Sequence, residues 1–383
     1  SPLTIGGIMA EIPEPQNSTR TAIFRHYEQT ADRQGRPHLG ASEIGHECDR
    51  YLWLSFRWAK PADFDGRMLR LFDSGNHQEP RLIADLRAIG VEVWDKDADG
   101  NQWRYKAVSG HFAGSLDGVG LGLPEAPKTP HLLEFKTANA KSFAAMTKKG
   151  VKEAKPQHYV QMQVYMGWAS LTRAMYIMVN KDTDEIHAER IEFDQDAFDR
   201  ALQRAERIIT ASEPAVTLAE DATNFTCKFC QYKHHCYGTE APAVSCRTCA
   251  HSTPEMDGDG RWSCAQGKPD MDVAAQRAGC GEHRHIPTLL GRFAELMDAS
   301  ANNLLTYKHK LTGAEFQQPV YSSQDITNLA DKTLLGDAGL TAIKTEFDCA
   351  IKAPAADPFA DMIDDLPWEK AATAKRVKKG AAK

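Results

Sequence analysis

An α/β fold, with a central mixed sheet flanked by helices, is what the 383-residue sequence predicts. Two observations carry this. His131-Leu-Leu-Glu-Phe-Lys-Thr137 is an apolar segment that begins to alternate at its end, and a stretch of small residues around Asp117 (Gly114, Ser115, Gly118) precedes it across a Gly/Pro-rich connection. Such a pattern reads as two strands joined by a turn. Further along, the apolar run Ala174 to Asn180 reads as another strand, with the helical segment Pro156 to Trp168 lying before it.

Taken in order, residues 1–37 form a flexible lead: the first twenty are rich in Pro, Ser and Thr, and Ala22 to Ala31 fits a short helix. Leu39 to Phe56 opens on turn residues and turns helical, with Ser42 the candidate N-cap. Met68 to Ile89 reads as one amphipathic helix ended by Gly90. Val91 to Trp94 and Gln102 to Val108 are candidate strands that, with the two site strands and Ala174 to Asn180, complete a sheet of about five. Phe198 to Ala211 is a further helix, and from Pro287 onward the sequence is helix-prone.

With 42% hydrophobic and 26% charged residues the chain can bury a large core, and more than one domain is expected. A net charge of −6 excludes a uniform basic coat, so any contact with nucleic acid must come from local patches. Apolar runs stay short of membrane-spanning length and no signal-peptide pattern is present, which leads to the expectation of a cytoplasmic protein with no membrane partner. Nine cysteines in that compartment point away from disulfides, and eight of them fall into two sets of four.

In a strand, Glu134 and Lys136 leave one face while Leu133 and Phe135 leave the other. A carboxylate and an ammonium then share one side of a mostly buried strand, and Asp117 from the preceding strand completes a hard-oxygen site suited to Mg²⁺ or Mn²⁺. Lys136 is placed to orient or deprotonate an attacking water, which makes the whole a candidate site for phosphodiester hydrolysis. Gln157, Gln161 and Tyr165, four residues apart, put three polar groups on one helix face.

Asp117, Glu134 and Lys136 in this order resemble the PD-(D/E)XK nuclease signature, here Leu116-Asp117 and Glu134-Phe135-Lys136, without the proline of its first half. Gly75-Asn-His-Gln-Glu79-Pro80 resembles the G-x-x-x-E-P helix of phage-type exonucleases, and Gln161 with Tyr165 resembles the Gln-containing motif of RecB-like and lambda-type enzymes. The resemblance covers about residues 38–240. It implies a restriction-endonuclease-like core acting on DNA, with Glu79, Asp117, Glu134 and the Phe135 carbonyl on the metal and Lys136, Gln161 and Tyr165 beside it; His77 is the alternative to Glu79.

Cys227-Lys-Phe-Cys230 and Cys236 give three thiols close in sequence. A zinc site would complete them with His234 or His235. The same three resemble the iron-sulfur nucleases, the CRISPR-associated RecB-like enzymes and AddB, in which the distant Cys48 is the fourth ligand of a 4Fe-4S cluster stapling the two ends of the domain. Cys246, Cys249, Cys264 and Cys280 form a second set in a module over 241–287, expected to bind structural zinc in a zinc-ribbon-like fold, with His283 or His285 as substitute ligands and a second iron-sulfur site as the alternative.

Residues 288–350 are expected to be a helical or mixed region and 351–383 a disordered tail, first acidic, then basic. Asp357 to Trp368 in that tail resembles the acidic tip of bacterial single-strand binding proteins. Together these features lead to the expectation of a DNA exonuclease of phage-type recombination, replication or repair, with DNA ends as substrate and a single-strand annealing or binding protein and further copies of itself as candidate partners. A trimming nuclease of CRISPR adaptation and a catalytically idle DNA-binding factor are the rivals. Lys141, Lys148, Lys149, Lys152 and Lys155, directly after the lysine strand, are the expected backbone contacts.

Overall fold

The computed structural model describes residues 18–351 apart from 33–34, 62, 268–269, 301 and 331–332. The first seventeen residues of the expected lead, and the acidic and basic tail from 352, lie outside the described residues. The chain divides into two compact units, one running to Gly238 and resuming over Pro242–Leu289, the other made of Thr239–Ala241 and the chain from Leu290. The second cysteine set therefore belongs to the first unit and is not a body of its own. The reason is visible in Arg247, which is buried with its guanidinium 3.8 Å from the Trp58 ring centroid and 4.6 Å from that of Trp262 and donates to the Phe56 and Pro37 carbonyls.

In chain order the first unit contains α1 (Thr19–Thr30), β1 (Leu39–Gly40), α2 (Asp49–Phe56), α3 (Gly66–Asn76), α4 (Gln78–Ala88), β2 (Glu92–Trp94), β3 (Arg104–Ala107), β4 (Phe112–Ser115), β5 (Gly118–Leu121) and β6 (His131–Ala138). There follow α5 (Ala140–Lys149), α6 (Val151–Ala154), α7 (Pro156–Ala169), β7 (Arg173–Asn180), β8 (Ile186–Glu192) and α8 (Gln195–Thr210). The cysteine-bearing end adds α9 (Phe225–Lys228), α10 (Lys233–Tyr237), β9 (Ser252–Pro254), β10 (Trp262–Cys264) and α11 (Val273–Ala278).

The main sheet is mixed and five-stranded, in the order β2-β5-β6-β7-β8, with β6 and β7 parallel across the α5-to-α7 crossover and the other pairs antiparallel. Alternation along β6 sorts its side chains between two cores. Leu133 and Phe135 pack with Leu82, Ile83 and Leu86 of α4, while Leu132 joins the larger core that includes Met162 and Met166 of α7 and Ile208 and Ile209 of α8. By the same period of two, Glu134 and Lys136 emerge on the α7 side.

Three expectations need correction, and the region from 288 is built of strands as well as helices. The predicted helix over 68–89 is two helices meeting at His77, because Pro80 has no N–H to give to the Asn76 carbonyl. The N-cap of α2 is Cys48, whose Sγ accepts from Tyr51 N, and not Ser42, whose hydroxyl accepts from Arg36. The strand expected over 102–108 does form, but pairs with β4 in a separate sheet ordered β1-β4-β3, and its place in the main sheet goes to β8, Ile-His-Ala-Glu-Arg-Ile-Glu. The region from 288 onward carries a three-stranded antiparallel sheet, β11 (Ala294–Ala299), β12 (Leu305–His309) and β13 (Glu315–Gln318), beside helices over Ser323–Leu329 and Ala338–Phe347. Its core is built on Leu290, Phe293, Tyr307, Phe316, Tyr321, Ile326 and Leu335, so tertiary pairing overrides the helix propensity of Ala-Glu-Leu-Met in β11.

Candidate active site

Asp117 sits in the two-residue break between β4 and β5, where the chain leaves the small sheet for the main one. Its Oδ2 accepts the Phe135 backbone N–H at 2.8 Å, which fixes the carboxylate against β6. Glu134 is fully buried; its Oε1 accepts from Lys136 Nζ and, at 2.9 Å, from Gln161 Nε2 of α7. Tyr165, one turn on from Gln161 and likewise buried, lines the same cleft, and burial with the Glu134 and Asp117 charges pushes its hydroxyl up. Gly114 makes room for that ring: a Cβ there would stand 2.6 Å from Tyr165 Cε1 and 2.7 Å from its hydroxyl.

Glu79, in the first turn of α4, approaches from the other side and accepts from Gln102 Nε2 at 3.0 Å. Asp117, Lys136, Glu79, Phe135, Gln161 and Tyr165 all line one cleft of about 920 Å³. His77 is not among its lining residues; its side chain is 78% exposed and pairs with Asp73. Gln157 departs from the expected face set as well, donating to the Ser42 carbonyl at 2.8 Å.

Burial pushes the Glu134 carboxyl up to about 7 against the pull of Lys136, and the Asp117 charge pushes the same way. Burial raises Asp117 and Glu79 too, and Asp117 adds to the rise at Glu79. Burial would pull Lys136 down, but the Glu134 and Asp117 carboxylates together hold it above its ordinary value. Three carboxylates with raised affinity for a proton around one ammonium are a set short of positive charge. Glu134 Oε2 points the same way, being a buried oxygen without a hydrogen-bond partner among the described residues.

None of the five lysines expected to hold the backbone lines the cleft; Lys149 pairs with Glu153 and Lys152 lies over the Tyr159 ring. The cations that do line it are Arg36, Arg104, Lys181 and Arg277, together with Lys136. They are scattered from Arg36 to Arg277 in the sequence, and no local pattern announces them. His158 was also missed. It lies on α7 with Nδ1 2.9 Å from the Tyr176 hydroxyl, kept neutral by burial and by the Lys136 charge.

Cys48, Cys227, Cys230 and Cys236 line one small cavity, and neither His234 nor His235 does. Burial pushes the Cys230 thiol up, and Cys236, Cys48 and Cys227 are close enough to push it further. Cys246, Cys249, Cys264 and Cys280 line a second cavity with His251 and His283, while His285 stays outside it. As the side chains stand, no group of three or more His, Cys, Asp or Glu among the described residues is arranged to hold a metal ion.

No family model matches the chain, and neither does any curated protein. Among solved structures, SSO0001 aligns with a TM-score of 0.35 at 14% identity, over 57% of this chain and 96% of its own. LHK-Exo, an alkaline exonuclease from Laribacter hongkongensis, aligns with a TM-score of 0.34 at 18% identity over 45% of this chain and 86% of its own, and its complex with dAMP gives the same values. At scores of this size the likeness decides neither family nor activity. The chemistry has to come from the cleft itself.

Proposed function

We propose that the chain is a DNA nuclease that depends on Mg²⁺ or Mn²⁺ and acts from strand ends. The observation that supports this most is that Asp117 and Lys136 line one cleft while Glu134 is buried directly against Lys136 and Gln161, its Oε2 without a partner among the described residues. A buried carboxylate oxygen without a donor is costly, and a hard divalent cation is a fitting complement to it. Asp117, Glu134, the Phe135 carbonyl and Glu79 are the residues that would hold the ion. Bound there, it supplies the positive charge that phosphodiester hydrolysis needs in its transition state.

The remaining groups have separate tasks. Gln161 fixes the orientation of the Glu134 carboxylate, and Tyr165 lines the cleft beside it. Lys136, itself held by Glu134, presents its ammonium to the cleft, where it orients the attacking water and can pass a proton. Arg36, Arg104 and Lys181 supply cations for the phosphates of the strand on either side of the scissile one.

The two cysteine quartets belong to the same reading: Cys48, Cys227, Cys230 and Cys236 around a 4Fe-4S cluster, and Cys246, Cys249, Cys264 and Cys280 around zinc. Each quartet lines a cavity of its own, and four soft thiolates suit either group. Side-chain rotation toward a common centre would accompany binding, as the thiols are not in a ligating array without it.

A cleft of this size suits a few nucleotides of one strand, which favours fraying and threading an end over gripping intact duplex. With Mn²⁺, end-labelled linear duplex should be degraded progressively while covalently closed relaxed circles survive at the same protein concentration. Rapid cleavage of the closed circles would overturn action from ends, and no cleavage of either substrate would overturn the nuclease itself.

A further inference from the structure

Beside the cleft runs a second groove of about 630 Å³, with Tyr51, Phe64, Phe225 and Phe229 in its walls. Phe225 opens α9 and Phe229 follows its end, four positions on, so both rings leave the same side of the turn. They stand edge to face, 5.8 Å between centroids, and are 81% and 74% exposed. Leaving two such rings side by side in water forgoes the stabilisation that burying them would give, so their exposure calls for an occupant.

A second edge-to-face pair, Phe64 and Phe72 at 5.1 Å, connects this groove to the cleft, since Phe64 lines the groove and Phe72 lines the cleft. The Lys228 ammonium lies 5.6 Å from the Phe229 centroid, bringing a cation to the same wall. The segment is also firmly held. Asn224 caps α9, the Thr226 hydroxyl is bonded to the Glu47 carboxylate, and Cys227 and Cys230 of the same turn line the first thiol cavity.

We propose that this groove is a track for one DNA strand, whose unpaired bases stack on Phe229, Phe225 and Phe64 before the backbone reaches the cleft. The inference rests on the nuclease reading and names the form of its substrate. Exposed rings accept the flat face of any base, so the track holds a strand without choosing a sequence, and Lys228 meets its phosphates. A duplex keeps its base faces stacked on one another, apart from those of its terminal pairs. An apolar peptide could cover the same rings, but it would have no need of a groove whose wall touches the wall of a cleft of cations and carboxylates.

The test measures binding of a fluorescent single-stranded oligodeoxynucleotide to the full chain carrying Asp117→Ala, without divalent metal. Adding Phe225→Ala and Phe229→Ala should weaken binding on the order of 25-fold or more, from the loss of two stacked bases. Blunt duplex should bind within twofold of the parent. Phe225→Leu with Phe229→Leu should bind the single strand as poorly as the alanine pair, and Phe225→Trp with Phe229→Trp should restore it. Unchanged single-strand affinity in the alanine pair, equal loss for duplex and single strand, or full binding by the leucine pair each overturns the track, the last in favour of an apolar partner. Failure of the reading beneath it shows separately, as a chain with intact Asp117 that cleaves no DNA.

Discussion

Glu134 concentrates the chemistry of the site in one side chain. One of its oxygens is shared by Lys136 and Gln161 and the other has no partner among the described residues, so its burial is only half compensated. A divalent cation that binds the folded chain and not the unfolded one should stabilise it by about 2.7 kcal/mol when present at ~100 times its dissociation constant. Thermal melts with and without Mn²⁺ should therefore show an upward shift in the parent protein and none in Glu134→Gln, which keeps the shape but loses the charge. Lys136→Met should leave the Mn²⁺ shift in place while lowering DNA cleavage ~10²–10⁴-fold, the range for a lost proton-transfer group. A Lys136→Met protein that cleaves like the parent would remove the lysine from the mechanism.

At the level of elements, α8 packs against both α2 and α7, the helix that carries Gln161. Asp49, at the first turn of α2, accepts from Arg204 Nε and Arg207 Nη1 of α8, each at 2.7 Å. Burial alone would raise the Asp49 carboxyl, but the two guanidiniums hold it below its ordinary value. The linkage follows: a depressed folded value contributes stability above the unfolded value near ~3.9, and that stability is lost as pH falls through the folded one. Asp49→Asn should cost about 1–3 kcal/mol in urea melts at pH 7 and much less in strong acid, where the parent has lost the same contribution. Elements such as β6 and α7 were legible in the sequence because burial imposes a period on them: Leu133 and Phe135 against Glu134 and Lys136, and Gln161 with Tyr165 on one helix face. β8 was not, since its exposed positions include Ile186 and Ala188 while His187 and Glu189 are half-buried, so no apolar alternation marks its inner face and it reads as charged surface. The sheet that receives Gln102–Val108 was equally invisible, because a local pattern announces a strand without naming its partner, and the cleft arginines Arg36, Arg104 and Arg277 meet only after folding.

Across the whole molecule, the first unit is closed by its own late segments returning to residues 36–58. Trp53 Nε1 donates to the Ala211 carbonyl, Arg50 to the Ala215 carbonyl, Arg247 to the Phe56 and Pro37 carbonyls, and the Thr226 hydroxyl to the Glu47 carboxylate. Both thiol quartets lie along this return, with Cys48 at its inner end, whereas the second unit has its own core of Leu290, Tyr307, Phe316 and Tyr321 and no member of either quartet. If metal centres lock the return, their removal should loosen the first unit and leave the second as it was. Anaerobically prepared protein should contain both iron and zinc; Cys48→Ser and Cys230→Ser should each lose the iron, and Cys249→Ser the zinc alone. Hydrogen exchange should then show lost amide protection in α2, α9 and α10 of Cys48→Ser with β12 and β13 unchanged, because a ligand bound only by folded chain withdraws its stabilisation from the elements that hold it. Retention of iron in Cys48→Ser would cut the long-range tie and leave the three later cysteines to a local site, and equal loss of protection in β12 and β13 would mean that the two units unfold as one.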